Sequence, residues 1–176
     1  MQNNRNKIII LIILLGLIFI SRIYKFGILP YTIGVDEAGA AYDAYCLANF
    51  GVDRYLNSFP VYLINFGGGQ SALYAYLNAL LIKLLGNSSI LIARLPALIM
   101  FLIGIFISYK LVSKKQDKKT AILVTFLITL CPWHIIQSRY GLDCNLLGPL
   151  FMLDLFLLEN AKKNYQYILA GISIGI

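Results

Sequence analysis

Charge is scarce in this chain: Asp, Glu, Lys and Arg make up 13% of its 176 residues, about half the roughly 25% of an ordinary soluble domain. There is one histidine, His134, so no second imidazole is available to build a metal site. The three cysteines, Cys46, Cys131 and Cys144, are odd in number and lack metal-ligand spacing. They encode neither a disulfide framework nor a zinc centre and read as free thiols. No internal repeat or low-complexity segment is present. What is abundant is apolar: 59% of residues, with a mean hydropathy of +0.75. The apolar residues gather into runs longer than a soluble core helix needs, which makes this a membrane protein and excludes a water-soluble enzyme or a disordered tail. The net charge of +7 does not point to nucleic acid. Lys110, Lys114, Lys115, Lys118 and Lys119 sit between two apolar runs, as membrane-flanking cations do.

The first run, Ile8 to Ile20, follows Arg5 and Lys7, but no small-residue cleavage site follows it. It reads as an uncleaved anchor extending to about Leu29, with Arg22 and Lys25 snorkelling outward. Further runs are Ile90 to Val112, Ala121 to Ile136, Leu146 to Leu158 and Tyr165 to Ile176. If Gln70 to Leu85 also spanned, an inside amino terminus would force the lysine cluster and Lys162 and Lys163 outside, against the positive-inside rule. Laid along the surface instead, it leaves all these lysines in the cytoplasm. The expected fold is therefore an all-α polytopic module over residues 1–176. It comprises an anchor span (1–29), an extracytoplasmic loop (30–89) and spans two to five (90–176), with the amino terminus cytoplasmic. The last run offers only ~18 Å of helix, so the chain is expected to stop inside a span, as the amino-terminal portion of a larger protein.

The outer loop holds four of the eight acids: Asp36, Glu37, Asp43 and Asp53. Apolar residues recur at helical spacing between Asp36 and Phe50, and Gly51 stands where a helix C-terminal glycine belongs. A chain reversal is expected at Gly67, Gly68 and Gly69, then a second surface helix from Ser71 to Leu85 closed by Gly86. Ser88 or Ser89 can cap the following helix, and Pro96 is expected near its first turn, where its missing N–H costs nothing.

This topology gathers Asp36, Glu37, Arg94, Arg139 and Asp143 at one membrane surface. Carboxylates beside arginines at headgroup level suit an enzyme that binds a lipid-linked phosphate and activates a hydroxyl. A lipid phosphate departs without being protonated, so one base and a cationic clamp suffice.

Four motifs stand in order: Val35-Asp36-Glu37-Ala38, Gly67 to Tyr74, Ala93-Arg94-Leu95-Pro96-Ala97, and Pro132-Trp133-His134-Ile135 with Ser138-Arg139 and Asp143. In this order the chain resembles the C-type membrane glycosyltransferases. It is most similar to glycosyltransferase family 39, the protein O-mannosyltransferases and the aminoarabinose transferases that modify lipid A. The resemblance covers essentially all of residues 8–176. It implies a sugar donor on a polyprenyl-phosphate carrier; with the topology above, the leading reading is an inverting transfer of that sugar, at the extracytoplasmic face of the cell membrane, to a hydroxyl on a lipid, protein or glycan. It also implies more spans than are present here. Asp36 becomes the catalytic carboxylate with Glu37 its neighbour, Arg139 and Arg94 the donor-phosphate ligands, and Asp143, His134, Gln70 and Tyr74 possible support. No cofactor is expected, and a divalent metal is left open. The lipid A modifying members carry Lys-Pro-Pro where this chain has Gly69-Gln70-Ser71, which argues against that acceptor.

Each residue has a plainer reading. Asp36 could cap its helix and Glu37 favour the helix dipole. Arg94 and Arg139 could be interfacial anchors, and Asp143 could pair with Arg139. Trp133 and His134 fit an aromatic belt, as do Tyr42, Tyr45, Tyr74 and Tyr76. Asp154 is costly within a span unless it faces another helix. The competing functions are a small transport or substrate-capture subunit and a membrane anchor or assembly protein.

Overall fold

The computed structural model describes residues 2–175. It is mostly helical, with eight helices and one two-stranded sheet among those residues. Helix α1 (Gln2–Ile23) leads into a short irregular segment and then α2 (Val35–Phe50). Strands β1 (Tyr62–Asn65) and β2 (Gly68–Ser71) follow, then α3 (Ala72–Leu85), α4 (Ile90–Lys115) and α5 (Lys118–Leu130). The chain continues through α6 (Pro132–Gln137), α7 (Cys144–Asn160) and α8 (Asn164–Gly175).

Glycines end α2 and α3 as the sequence predicts. Gly51 closes α2 at φ 73° and Gly86 closes α3 at φ 62°, each donating its N–H back to a carbonyl of the last turn. A left-handed residue at this place is nearly free of strain only for glycine. The two helices pack through small side chains, Ala44 and Ala48 against Ala72, Ala75 and Ala79, with Leu47 and Leu63 completing the cluster.

The all-α expectation needs one correction, the antiparallel hairpin β1–β2, in which Leu63 faces Gln70 and Asn65 faces Gly68. Its two-residue turn puts Phe66 at φ 48° and Gly67 at φ 78°. Positive φ at both central positions gives the turn whose twist matches a hairpin. Gly69 has a different reason to be glycine: a Cβ there would overlap the Tyr62 ring. Strand alternation then turns Leu63 and Asn65 to the same, buried side.

Pro96 lies seven residues into α4 rather than in its first turn, so it does remove an intrahelical bond. The carbonyl of Ala93, just before it, accepts from Tyr74 Oη at 2.8 Å and from Asn78 Nδ2 at 3.0 Å. Those two side chains lie one turn apart on α3, so Ala93 O, beside the Ile92 carbonyl that Pro96 leaves without its helical donor, is the dock for α3. A second correction concerns the run Ala121 to Ile136, which is two helices. Cys131 before Pro132 is extended, at ψ 117°, because the proline ring disfavours a helical predecessor. A third concerns Arg22, which is fully buried rather than snorkelling. It donates to Thr129 O at 3.3 Å and to His134 Nδ1 at 2.7 Å.

Among the described residues, α4 is the one helix of 18 or more residues that is apolar enough to cross a membrane unaided. The helices have two chemically distinct ends. At one, Lys114 and Lys115 of α4 meet Glu159 of α7, close in sequence to Lys118, Lys119, Lys162 and Lys163. At the other, the first turns of α2 and α4 meet the segment between α6 and α7, joined by Glu37, Arg94 and Gly141. Asp154 is buried in α7, and its Oδ1 has no hydrogen-bond partner.

Candidate active site

The end away from the lysines is organised by a buried ion pair. Glu37 Oε1 accepts Arg94 Nε at 2.7 Å, and Oε2 accepts Arg94 Nη2 at 3.0 Å, a two-pronged contact. Both side chains are at most 1% exposed. Arg94 also donates from Nη1 to Pro30 O at 2.9 Å and from Nη2 to Thr32 O at 3.1 Å, while Glu37 Oε1 takes Gly141 N–H at 2.8 Å. Burying a charge this deeply is costly unless it is paired and hydrogen-bonded. This clasp meets that condition by joining three segments remote in sequence, 30–37, Arg94 and Gly141. Every guanidinium nitrogen of Arg94 is thus occupied by the protein, and the expectation that Arg94 is an open phosphate ligand does not match its geometry.

Arg139 is also turned inward, 7% exposed. Its Nη atoms donate to the carbonyls of Leu29 at 3.3 Å and of Ser21 and Arg22 at 3.4 Å, and to that of Tyr24. It thereby caps the carbonyl end of α1, where a cation is favoured. Together the two arginines strap down residues 29–32, the segment that delivers Asp36. Arg139 differs from Arg94 in two respects: among the described residues no carboxylate pairs with it, and its Nε is buried without a partner. Burial and the nearby Arg94 charge both push its pKa below the usual arginine value. It lines a recess of about 400 Å³ whose other walls include Ile20, Tyr24, Leu29, Pro30, Ile135 and Ile136.

Asp36 stands beside Glu37 but faces solvent. The N-cap of α2 is Gly34, with no side-chain cap bond, so the capping reading of Asp36 does not hold. Its Oδ1 accepts Asn65 Nδ2 at 2.7 Å, and among the described residues nothing donates to Oδ2. Asp143 does not pair with Arg139 either. Its Oδ1 accepts Cys144 N–H at 2.8 Å at the start of α7, and its Oδ2 accepts Ser71 N–H at 2.7 Å, tying α7 to the hairpin. Gln70 is buried against the Asp36 backbone, with Nε2 3.5 Å from its carbonyl oxygen and Oε1 unpaired.

Tyr74 serves the α3–α4 dock. His134 lies edge-on to Phe101 at 4.6 Å, whereas the neighbouring Trp133 is 70% exposed. Because arginine only donates, the Arg22 bond makes His134 Nδ1 an acceptor and the ring neutral. Sequence reasoning missed Arg22 and Asn65. An arginine after an apolar run reads as a flank, and an asparagine before three glycines reads as turn composition.

A family model described as dolichyl-phosphate-mannose-protein mannosyltransferase matches residues 70–176. The chain belongs to that family. No curated protein matches it, and no solved structure does. Membership in this mannosyltransferase family means a membrane glycosyltransferase, which selects the enzyme over the transport-subunit and anchor readings. Asp36 and Glu37 precede the matched segment. Within this mannosyltransferase-family chain, Glu37 is nevertheless bonded to Arg94 and Gly141 inside the segment, and Asp36 approaches it through Gln70.

Proposed function

We propose that the protein transfers a sugar, mannose in keeping with its family, from a polyprenyl-phosphate carrier to a hydroxyl group at the extracytoplasmic face, with inversion at the anomeric carbon. The observation that carries this reading is Asp36, an exposed carboxylate held by one oxygen at the end of the helices opposite the lysines, with no donor among the described residues on its other oxygen. In the proposed reaction the acceptor hydroxyl gives its proton to Asp36 Oδ2 while its oxygen forms the bond to the sugar C1. The C1–phosphate oxygen bond breaks on the opposite face, and the polyprenyl phosphate leaves with the electron pair and needs no acid. Arg139 is the proposed phosphate ligand, exchanging its carbonyl contacts with residues 21–29 for the phosphate, since its charge lacks a carboxylate partner and borders an apolar recess at the same end. Glu37 and Arg94 hold the segment in which Asp36 sits. Gln70 Nε2 supports the same segment at the Asp36 carbonyl. The amino terminus and the lysine loops are cytoplasmic in this scheme, following the positive-inside rule, and the acceptor is a protein if the family description carries over.

The test is transfer by the full-length protein in proteoliposomes loaded with radiolabelled polyprenyl-phosphate mannose, using a serine- and threonine-containing peptide as acceptor. The reading expects label on the peptide with inverted anomeric configuration. Retention of configuration, or no release of prenyl phosphate under any acceptor, would remove it.

A further inference from the structure

We infer that Asn65 and Arg54 are positioning residues for Asp36, forming a relay that begins at Asp43 and leaves only one oxygen of Asp36 free. This rests on the proposed role of Asp36 as base. Asp43 is 1% exposed, and Arg54 grips it with Nε at 3.0 Å on Oδ1 and Nη2 at 2.7 Å on Oδ2, while the Arg54 N–H adds a third bond at 3.0 Å. The guanidinium is therefore fixed in plane. Its remaining arm, Nη1, reaches Asn65 Oδ1 at 3.4 Å. Because arginine can only donate, that contact assigns the amide: oxygen toward Arg54, NH2 toward Asp36. Asn65 Nδ2 then donates to Asp36 Oδ1 at 2.7 Å.

The local fold is shaped for this contact. Asp36, Gly39 and Asp43 lie at helical spacing on one face of α2, and a Cβ on Gly39 would sit 2.7 Å from both Arg54 Nη2 and Asn65 Oδ1. Glycine at that position is what allows the relay to lie flat on the helix. From the other side, strand alternation drops Leu63 into the core between α2 and α3 and so fixes Asn65, two residues on, over Asp36. With Oδ1 occupied by Asn65, the proton acceptor is Oδ2, and its direction is set by a side chain anchored at both ends. A base held within about 0.5 Å of its working position retains most of its effect, and one left to rotate does not.

The test measures single-turnover transfer and donor affinity in the reconstituted full-length protein for Asn65→Ala, Asn65→Asp and Asp36→Asn. Asn65→Ala is expected to slow transfer by roughly 10-fold with donor affinity changed by less than about 2-fold. Asn65→Asp should be slower still, because the introduced carboxylate keeps the shape and the Arg54 contact but repels Asp36. A purely structural asparagine gives the reverse order, since the isosteric variant would tolerate the site best, and that order overturns the inference. So does a parental rate in both variants. Gly39→Ala supplies an independent check if an Asn65 variant does not fold: its added methyl displaces the amide without altering charge, and transfer should again fall at constant donor affinity. A parental rate there overturns the relay. Failure of the base reading is distinguishable, because Asp36→Asn itself would then transfer normally, whereas failure of the relay alone leaves Asp36→Asn inactive and the Asn65 variants unaffected.

Discussion

Gly141→Ala should damage this protein out of proportion to its one added methyl. The backbone at Gly141 is not left-handed, so alanine brings no torsional penalty and the effect is one of space. The new Cβ would lie 2.8 Å from Ala93 O and 3.2 Å from Glu37 Oε1. The first contact is about 0.6 Å inside ordinary van der Waals distance. Ala93 O cannot readily retreat, because Tyr74 and Asn78 both hold it. The segment 138–143 must therefore move, and a shift of that size breaks the bond of Gly141 N–H to the Glu37 carboxylate. A hydrogen bond to a charged, buried group is worth roughly 1.5–3 kcal/mol. At the ~2–4 °C per kcal/mol of a chain this size, Tm should fall by roughly 3–12 °C. Thermal unfolding in detergent, followed by dye labelling of buried Cys46 with Cys131 and Cys144 replaced by serine, measures it. Gly148→Ala is the control, since nothing lies within 4 Å of a Cβ there, and its Tm should match the parent. A Gly141→Ala protein as stable as the Gly148→Ala control would refute the close approach and with it the clasp.

Other substitutions test the remaining supports. Glu37→Gln leaves the Arg94 charge buried without its partner and should cost about 3–5 kcal/mol, seen as lost expression of folded protein; near-normal yield would argue against the pair. Tyr74→Phe removes one of two donors to Ala93 O and should cost only ~0.5–1.5 kcal/mol by thermal unfolding. Burial pushes the Asp53 carboxyl up, but the Asn57 side chain, the Asn57 and Tyr55 N–H groups and the Arg54 charge outweigh it and hold the pKa below the ordinary value. Its contribution is thus complete at neutral pH and is lost as pH falls through the lowered value. Proteolysis around residues 51–61 should rise in strong acid, and Asp53→Ala should show the same susceptibility at pH 7. Single cysteines at Leu56 and Gln116, in a cysteine-free background, should differ toward an impermeant thiol reagent on intact cells, with Leu56 alone reacting; labelling at Gln116 would invert the proposed orientation.

The elements that sequence reveals here are those fixed by local chemistry. Gly51 and Gly86 end two helices because a left-handed cap favours glycine wherever the rest of the chain goes. The hairpin escaped notice because its strands are four residues each and its turn is Phe66-Gly67, without the asparagine or aspartate that usually signals such a reversal. The site was legible only in composition. Asp36, Glu37, Arg94, Arg139 and Asp143 could be assembled at one end from charge bookkeeping, yet which arginine holds which acid is decided by packing. Arg94 finds Glu37 57 residues away, and Asp143 finds Ser71 72 residues away, pairings that no spacing rule encodes. Likewise Arg22 reads as a membrane flank until His134 and Thr129 O close over it.

Asp36→Asn in the full-length protein tests the central claim most directly, with donor binding and single-turnover transfer measured on the same preparation. The substitution keeps the shape of the side chain and an oxygen for Asn65 while removing the proton acceptor. Donor binding should persist and transfer should fall by roughly 10² or more. Transfer at the parental rate would contradict the assignment of Asp36 as the base.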